Sequence, residues 1–327
     1  MNAIKVENLT KKFNGLTAVD SVSFEIKEGE IFGLLGPNGA GKTTTISMLS
    51  TMLKPSSGKA EVNGLDIIKD EDKVRKSIGI VFQDQSLDDE LTAFENMDFH
   101  ARLYRTPKNT RKEKINELLK LVELDERKND LVKKFSGGMK RRLEIARGLL
   151  HEPKVLFLDE PTLGLDPQTR NHLWQYIEKL NKEKGITIIL TTHYMDEADK
   201  LCNRIAIIDK GKIVALDTPQ KLKERLGGDV ILIKSPDTEK IYPKIKFSWV
   251  KHIEKRGELI SVNAENAEKH ITEIVVIAGK NNYAIESISV SKPSLEDVFL
   301  HFTGKTIREE EAGSRETMRM HHKAWRR

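Results

Sequence analysis

The chain has 327 residues, of which 38% are hydrophobic and 32% charged, enough to bury a full core in one large domain with an appendage. No window approaches 18 consecutive apolar residues, and the start MNAIKVENLT lacks a basic stretch followed by an apolar one. Neither a membrane span nor a signal peptide is therefore expected, and the chain is placed in the cytosol. Of the net charge of +5, the last 24 residues hold seven Lys/Arg against four Glu, so the body carries only +2, which argues against a nucleic-acid partner.

Residues 1 to 35 alternate as half-buried strands, with Ile4, Val6 and Leu9, then Val22, Phe24 and Ile26, before a turn at Glu28 and Gly29. They read as an antiparallel edge. The apolar strand Ile31 to Leu35 then runs into Gly36, Pro37, Asn38, Gly39, Ala40, Gly41, Lys42, Thr43 and Thr44, followed by a helical run. A glycine-rich loop between strand and helix lets backbone N–H groups converge on phosphate oxygens at the positive end of the helix. The pattern predicts a nucleoside triphosphate, with Lys42 reaching the β and γ phosphates and Thr43 ligating Mg²⁺; the competing reading is a turn with no ligand.

The helix is expected to run to about Leu53, followed by a turn at Pro55 to Gly58, a short strand near Ala60 to Val62 and a buried strand at Ile78 to Phe82. Residues 92–150 take helical spacing (Phe94, Met97, Leu103; Ile115, Leu118, Leu119, Val122; Leu143, Ile145, Leu149) and read as an inserted helical subdomain. Strand-like runs return at Val155 to Leu158, Thr187 to Leu190, Ile205 to Ile208 and Ile213 to Leu216, with helical stretches between. This alternation predicts an α/β core with a mostly parallel sheet. The lone Cys202 lies in an amphipathic segment and reads as a small buried thiol.

The pattern breaks near Gly227 and Gly228, so the first domain is expected over 1–226. A compact α+β domain is expected over 229–303, with strands at Val230 to Ile233, Val250 to Ile253, Leu259 to Val262 and Ile285 to Val290, and helices near Ala264 to Ile277 and Ser294 to His301. Residues 304–327 form a basic tail, read as a solvated disordered extension or as a contact for anionic lipid or a partner.

Two places carry chemistry beyond the phosphate loop. Val155 to Leu158 leads into Asp159 and Glu160, and at the C-terminal end of a strand both carboxylates can face the crevice beside the loop. Asp159 is then suited to hold Mg²⁺ and Glu160 to orient or deprotonate an attacking water; helix capping is the alternative. Ser136, Gly137 and Gly138 open a helix, offering a hydroxyl and bare N–H groups either to an anion or to simple capping.

In order along the chain, these motifs resemble those of the ATP-binding-cassette ATPases, over about residues 3 to 225. Gly36 to Thr43 matches the Walker A loop, Gln83 the Q-loop, Ser136-Gly137-Gly138 the signature, and Val155 to Glu160 Walker B. Gly164-Leu165-Asp166 matches the D-loop and His193 the switch histidine. The resemblance implies a P-loop NTPase core and a homodimer in which each ATP lies between one chain's Walker A and the other's signature. It also implies that Gln83 touches Mg²⁺ and water at the seam facing a transport partner, that His193 contacts the γ-phosphate, and that Asp166 belongs to the nucleotide site. Phe13 best matches the adenine-stacking aromatic, with a core role as the alternative. The signature departs from the usual LSGGQ: it reads Phe135 to Met139, and Met139 loses an amide.

The segment Ser291 to Leu300 resembles the end of the C-terminal domain of daunorubicin-resistance ATPases. Ser294 reads as an N-cap, while Leu295, Val298 and Phe299 form an apolar face that either closes its own domain or extends a dimer contact. The resemblance implies the ATP-hydrolysing subunit of an exporter of drugs or lipid-like molecules, driving a separate membrane permease and held at the inner face of the cell membrane. The rival reading is a soluble ATPase of the same family acting on a macromolecular complex; tandem cassettes and a long coiled coil, which would favour it, are absent. A nucleotide sensor without catalysis is disfavoured by the presence of Glu160 and His193.

Overall fold

The computed structural model describes residues 1–226 and 228–304; the basic tail and Gly227 lie outside the described residues. Two compact units result, Met1–Leu216 and residues 217–304.

The first unit opens with β1 (Asn2–Phe13), β2 (Leu16–Lys27), β3 (Ile31–Leu35) and α1 (Lys42–Leu49), then β4 (Ser57–Val62), β5 (Leu65–Asp66), α2 (Glu71–Ser77) and β6 (Ile78–Val81). The helical insertion holds α3 (Ala93–Leu103), α4 (Lys108–Leu121) and α5 (Gly137–Gly148). The chain returns through β7 (Val155–Asp159), α6 (Pro167–Lys184), β8 (Thr187–Thr192), α7 (Met195–Leu201), β9 (Arg204–Asp209) and β10 (Lys212–Asp217).

Six strands form the central sheet in the order β10-β9-β3-β8-β7-β6, and β9, β3, β8, β7 and β6 pair in parallel. Their unbroken apolar runs follow from burial on both faces: every residue of β3, β7 and β8 is buried. The antiparallel strands make a sheet of their own, β2-β1-β4-β5, rather than an edge of the central one. Phe24 of β2 stacks on Phe32 of β3 with centroids 5.4 Å apart, joining the two layers in one core. The order places β8 between β3 and β7, so the loops leaving all three strands open onto one crevice at their C-terminal ends.

The helix after β3 stops at Leu49, short of the expected Leu53, because Ser50 caps it and Thr51 takes a left-handed backbone (φ 64°). In the insertion, Ile115, Leu118 and Leu119 are buried as their spacing predicts, but Leu103 is 62% exposed and joins Phe99 and Tyr104 on the surface of α3.

The second unit comprises α8 (Pro219–Glu224), β11 (Asp229–Lys234), α9 (Thr238–Ile241), β12 (Val250–Arg256), β13 (Leu259–Ala264), α10 (Ile271–Lys280), β14 (Ser287–Ser291) and α11 (Leu295–Thr303). Its sheet runs β12-β13-β11-β14, antiparallel throughout. Ala264 belongs to a strand rather than a helix; Asn266 then turns the chain at φ 52°, and α10 starts only at Ile271. Ser294 accepts from the Asp297 N–H in a capping box, Leu295, Val298 and Phe299 are buried, and α11 packs against α8.

Candidate active site

The phosphate loop leaves β3 and enters α1 as the sequence predicts. Gly41 supplies the turn: its φ is 104°, and an added β-carbon would lie 2.5 Å from the Ala18 carbonyl oxygen, so only glycine fits. Lys42, 4% exposed, donates to the carbonyls of Gly36 (2.7 Å) and Pro37 (3.2 Å) and pairs with Glu160 Oε1 at 3.2 Å.

Thr43 donates its hydroxyl to Asp159 Oδ1 at 3.2 Å, and Thr191 donates to the same oxygen at 2.5 Å. A hydroxyl and a carboxylate thus converge from α1 and β7. These are hard oxygen donors too few to enclose a cation, the partial set with which Mg²⁺ keeps waters and phosphate oxygens; the residues fit it. Among the described residues no group of three or more His, Cys, Asp or Glu could hold a metal by itself.

Glu160, 7% exposed, has a left-handed backbone (φ 46°), which aims its side chain back over the loop instead of along the strand. Its N–H donates to Thr191 Oγ1 at 2.9 Å. Its Oε2 lies 3.2 Å from His193 Nδ1, without the alignment of a regular hydrogen bond. Burial pushes the Glu160 carboxyl up, but His193 and Lys42 outweigh it and hold the group below the ordinary glutamate value. A carboxylate ionised at neutral pH, beside a phosphate loop, can orient water and accept its proton.

The signature turn is built on α5. Ser136 Oγ accepts from the Met139 N–H at 3.3 Å, so the serine does cap the helix. Gly138 sits against α6: a β-carbon there would lie 2.2 Å from Thr169 Cγ2. Asp166 caps α6, accepting from the Gln168 and Thr169 N–H groups at 3.1 and 3.0 Å. Phe13 is 42% exposed with the Lys11 ammonium 5.1 Å above its ring, which removes the core alternative, and Gln83 is exposed. The structure therefore gathers Lys42, Thr43, Asp159, Glu160 and His193 into one cluster. Phe13, Gln83, Ser136, Gly137, Gly138 and Asp166 lie on other segments.

Three supports escaped the sequence reading. Thr191 ties Asp159 to the Glu160 backbone; the only local sign is a threonine at the C-terminal end of a buried strand. The buried Glu197 of α7 accepts from Thr162 Oγ1 and Trp174 Nε1, both at 2.9 Å, linking the segment after Glu160 to the helix after His193. Burial raises the Glu197 pKa despite these donors. The third is Arg141, whose guanidinium lies under the Asp159-Glu160-Pro161 turn.

Residues 19–163 match the ABC transporter family, and residues 218–303 match the C-terminal domain of the DrrA1-3-like ATP-binding proteins. The linearmycin resistance ATP-binding protein LnrL of Bacillus subtilis is 42% identical over 94% of this chain and its own full length. The chain belongs to the ABC transporter ATP-binding family. The daunorubicin/doxorubicin resistance ATP-binding protein DrrA of Streptomyces peucetius is 36% identical over 92% of both chains. Among solved structures, the dimeric cassette MJ0796 bound to ADP and Pi superimposes with a TM-score of 0.59 at 30% identity, covering 66% of this chain and 98% of that one. For cbiO1 from Clostridium perfringens the TM-score is 0.64 at 32% identity, covering 75% and 97%. As a member of this family the chain binds and hydrolyses ATP, and among its described residues no helix is long and apolar enough to cross a membrane.

Proposed function

We propose that this chain is the ATPase subunit of an exporter of antibiotics or lipid-like molecules, working as a homodimer on a separate permease at the inner face of the cell membrane. The full-length match to a linearmycin resistance protein, continued through the DrrA-like domain, carries this reading. Relatives named for drug resistance and Nod factor export leave the soluble alternative unsupported. The exposed Phe99 and Leu103 of α3, with Tyr104 at its C-terminal end, offer an apolar surface suited to such a partner.

In this reading Lys42 and the loop N–H groups hold the β and γ phosphates, while Thr43 and Asp159, with Gln83, would hold Mg²⁺. Mg²⁺, when bound, neutralises charge on the β and γ oxygens. Glu160 takes the proton of the water that attacks the γ-phosphorus, ADP leaves, and His193 contacts the γ-phosphate. Phe13 offers a ring face to adenine. Ser136, Gly137 and Gly138 of one protomer, with Asp166, close on the nucleotide held by its partner.

The test is Glu160→Gln. It should keep ATP binding, lower turnover at least about 100-fold, and trap an ATP-dependent dimer that co-purifies with the permease from detergent-solubilised membranes. Normal turnover, or a monomer in saturating Mg·ATP even beside the permease, would overturn the reading.

A further inference from the structure

Arg141 makes a set of buried connections that the chemistry has not yet used. It is 5% exposed and lies on α5, one turn beyond the signature serine. Its Nε donates to the Pro161 carbonyl at 2.9 Å, and Nη2 donates to the carbonyls of Asp159 (2.8 Å) and Glu160 (3.3 Å). Nη1 donates to the Phe82 carbonyl at 2.5 Å and to Glu144 Oε2 at 3.0 Å. One planar cation thus collects three consecutive carbonyls of the turn that carries Glu160, plus the carbonyl immediately before Gln83.

The same helix grips the other side of the Gln83 loop. Glu144 Oε1 accepts the Ser86 N–H at 2.9 Å, while Arg147 donates to the Ser86 carbonyl (2.7 Å) and hydroxyl (2.5 Å). The 82–86 loop is therefore pinned to α5 at both ends, and α5 is pinned to the Glu160 turn through Arg141. Buried carbonyls cannot be left without donors cheaply, and a left-handed backbone at a non-glycine residue persists only where its surroundings enforce it. Arg141 provides that enforcement.

We propose that Arg141 is a positioning residue for ATP hydrolysis: by holding the 159–161 carbonyls it fixes the left-handed turn that aims Glu160, and through Phe82 it ties that turn to the Gln83 loop. This rests on the reading of Glu160 as the residue that activates water. Arginine is required because only its fork presents donors to several carbonyls in one plane; lysine offers a single point of attachment.

The experiment compares full-length wild type, Arg141→Met, Arg141→Lys and Glu160→Gln for thermal unfolding, ATP affinity, kcat and KM. Arg141→Met should keep KM and ATP affinity within about threefold while kcat falls about 10- to 100-fold. Arg141→Lys should recover part of kcat. A folded Arg141→Met with wild-type kcat overturns the proposal, and where Arg141→Met fails to fold, a folded Arg141→Lys with wild-type kcat does so. Full activity in Glu160→Gln would instead remove the reading beneath it, so the two failures are distinguishable.

Discussion

His193 Nδ1 lies 3.2 Å from Glu160 Oε2, off the line of a regular hydrogen bond yet close enough to bear on the carboxylate. Replacing it with alanine removes one of the two groups that hold the Glu160 carboxyl low. The acid limb of kcat in His193→Ala should therefore shift to higher pH, with kcat near neutrality reduced by about 10²-fold if the ring also meets the γ-phosphate. A pH–rate series on both proteins reads this directly.

Lys42 and Glu160 form a buried pair, and removing one partner strands the other. Lys42→Met should cost about 3 kcal/mol in urea unfolding at pH 7 and abolish measurable ATP binding. Glu160 is depressed in the folded state, so its stabilising contribution is complete above the ordinary glutamate value and is lost as pH falls through the depressed one. Wild type should lose that increment on acidification, whereas Lys42→Met should lose less over the same window.

Thr43 and Asp159 place two oxygens on one point between α1 and β7. Asp159→Asn keeps the shape but removes the charge. Half-saturation of hydrolysis by Mg²⁺ should rise about 10- to 100-fold, with ATP affinity in EDTA little altered. Magnesium titration at saturating ATP checks it.

A methyl group at position 138 has no room beside Thr169. Gly138→Ala should destabilise the chain by about 1–3 kcal/mol. The double variant with Thr169→Ser, which deletes the opposing Cγ2 but keeps the hydroxyl, should regain most of the loss. Thermal unfolding of the two singles and the double forms the cycle.

The parts of the site carried by short contiguous patterns were legible: a glycine-rich loop between strand and helix, and two carboxylates at the end of an apolar strand. The parallel sheet followed from the alternation of elements, but the order that puts β8 between β3 and β7 did not, because pairing partners leave no local mark. Arg141 was silent for the same reason. Apart from the Glu144 carboxylate, its acceptors are carbonyls, which every residue has, at sequence separations of 18 to 59. The early end of α1 turns on Thr51 adopting a left-handed backbone, a conformation its side chain does not advertise. Leu103 fitted a helical apolar stripe yet faces outward, since periodicity identifies a face without saying what covers it.

Cys202, the single sulfhydryl of the sequence, is sealed in the first unit, and burial pushes its pKa well up. Maleimide reagents attack the exposed thiolate form, so the native surface is blank to them. A cysteine introduced at exposed Phe13 or Gln83 would be the sole labelling handle, opening distance measurements by spin or fluorescence pairs without first deleting a native residue.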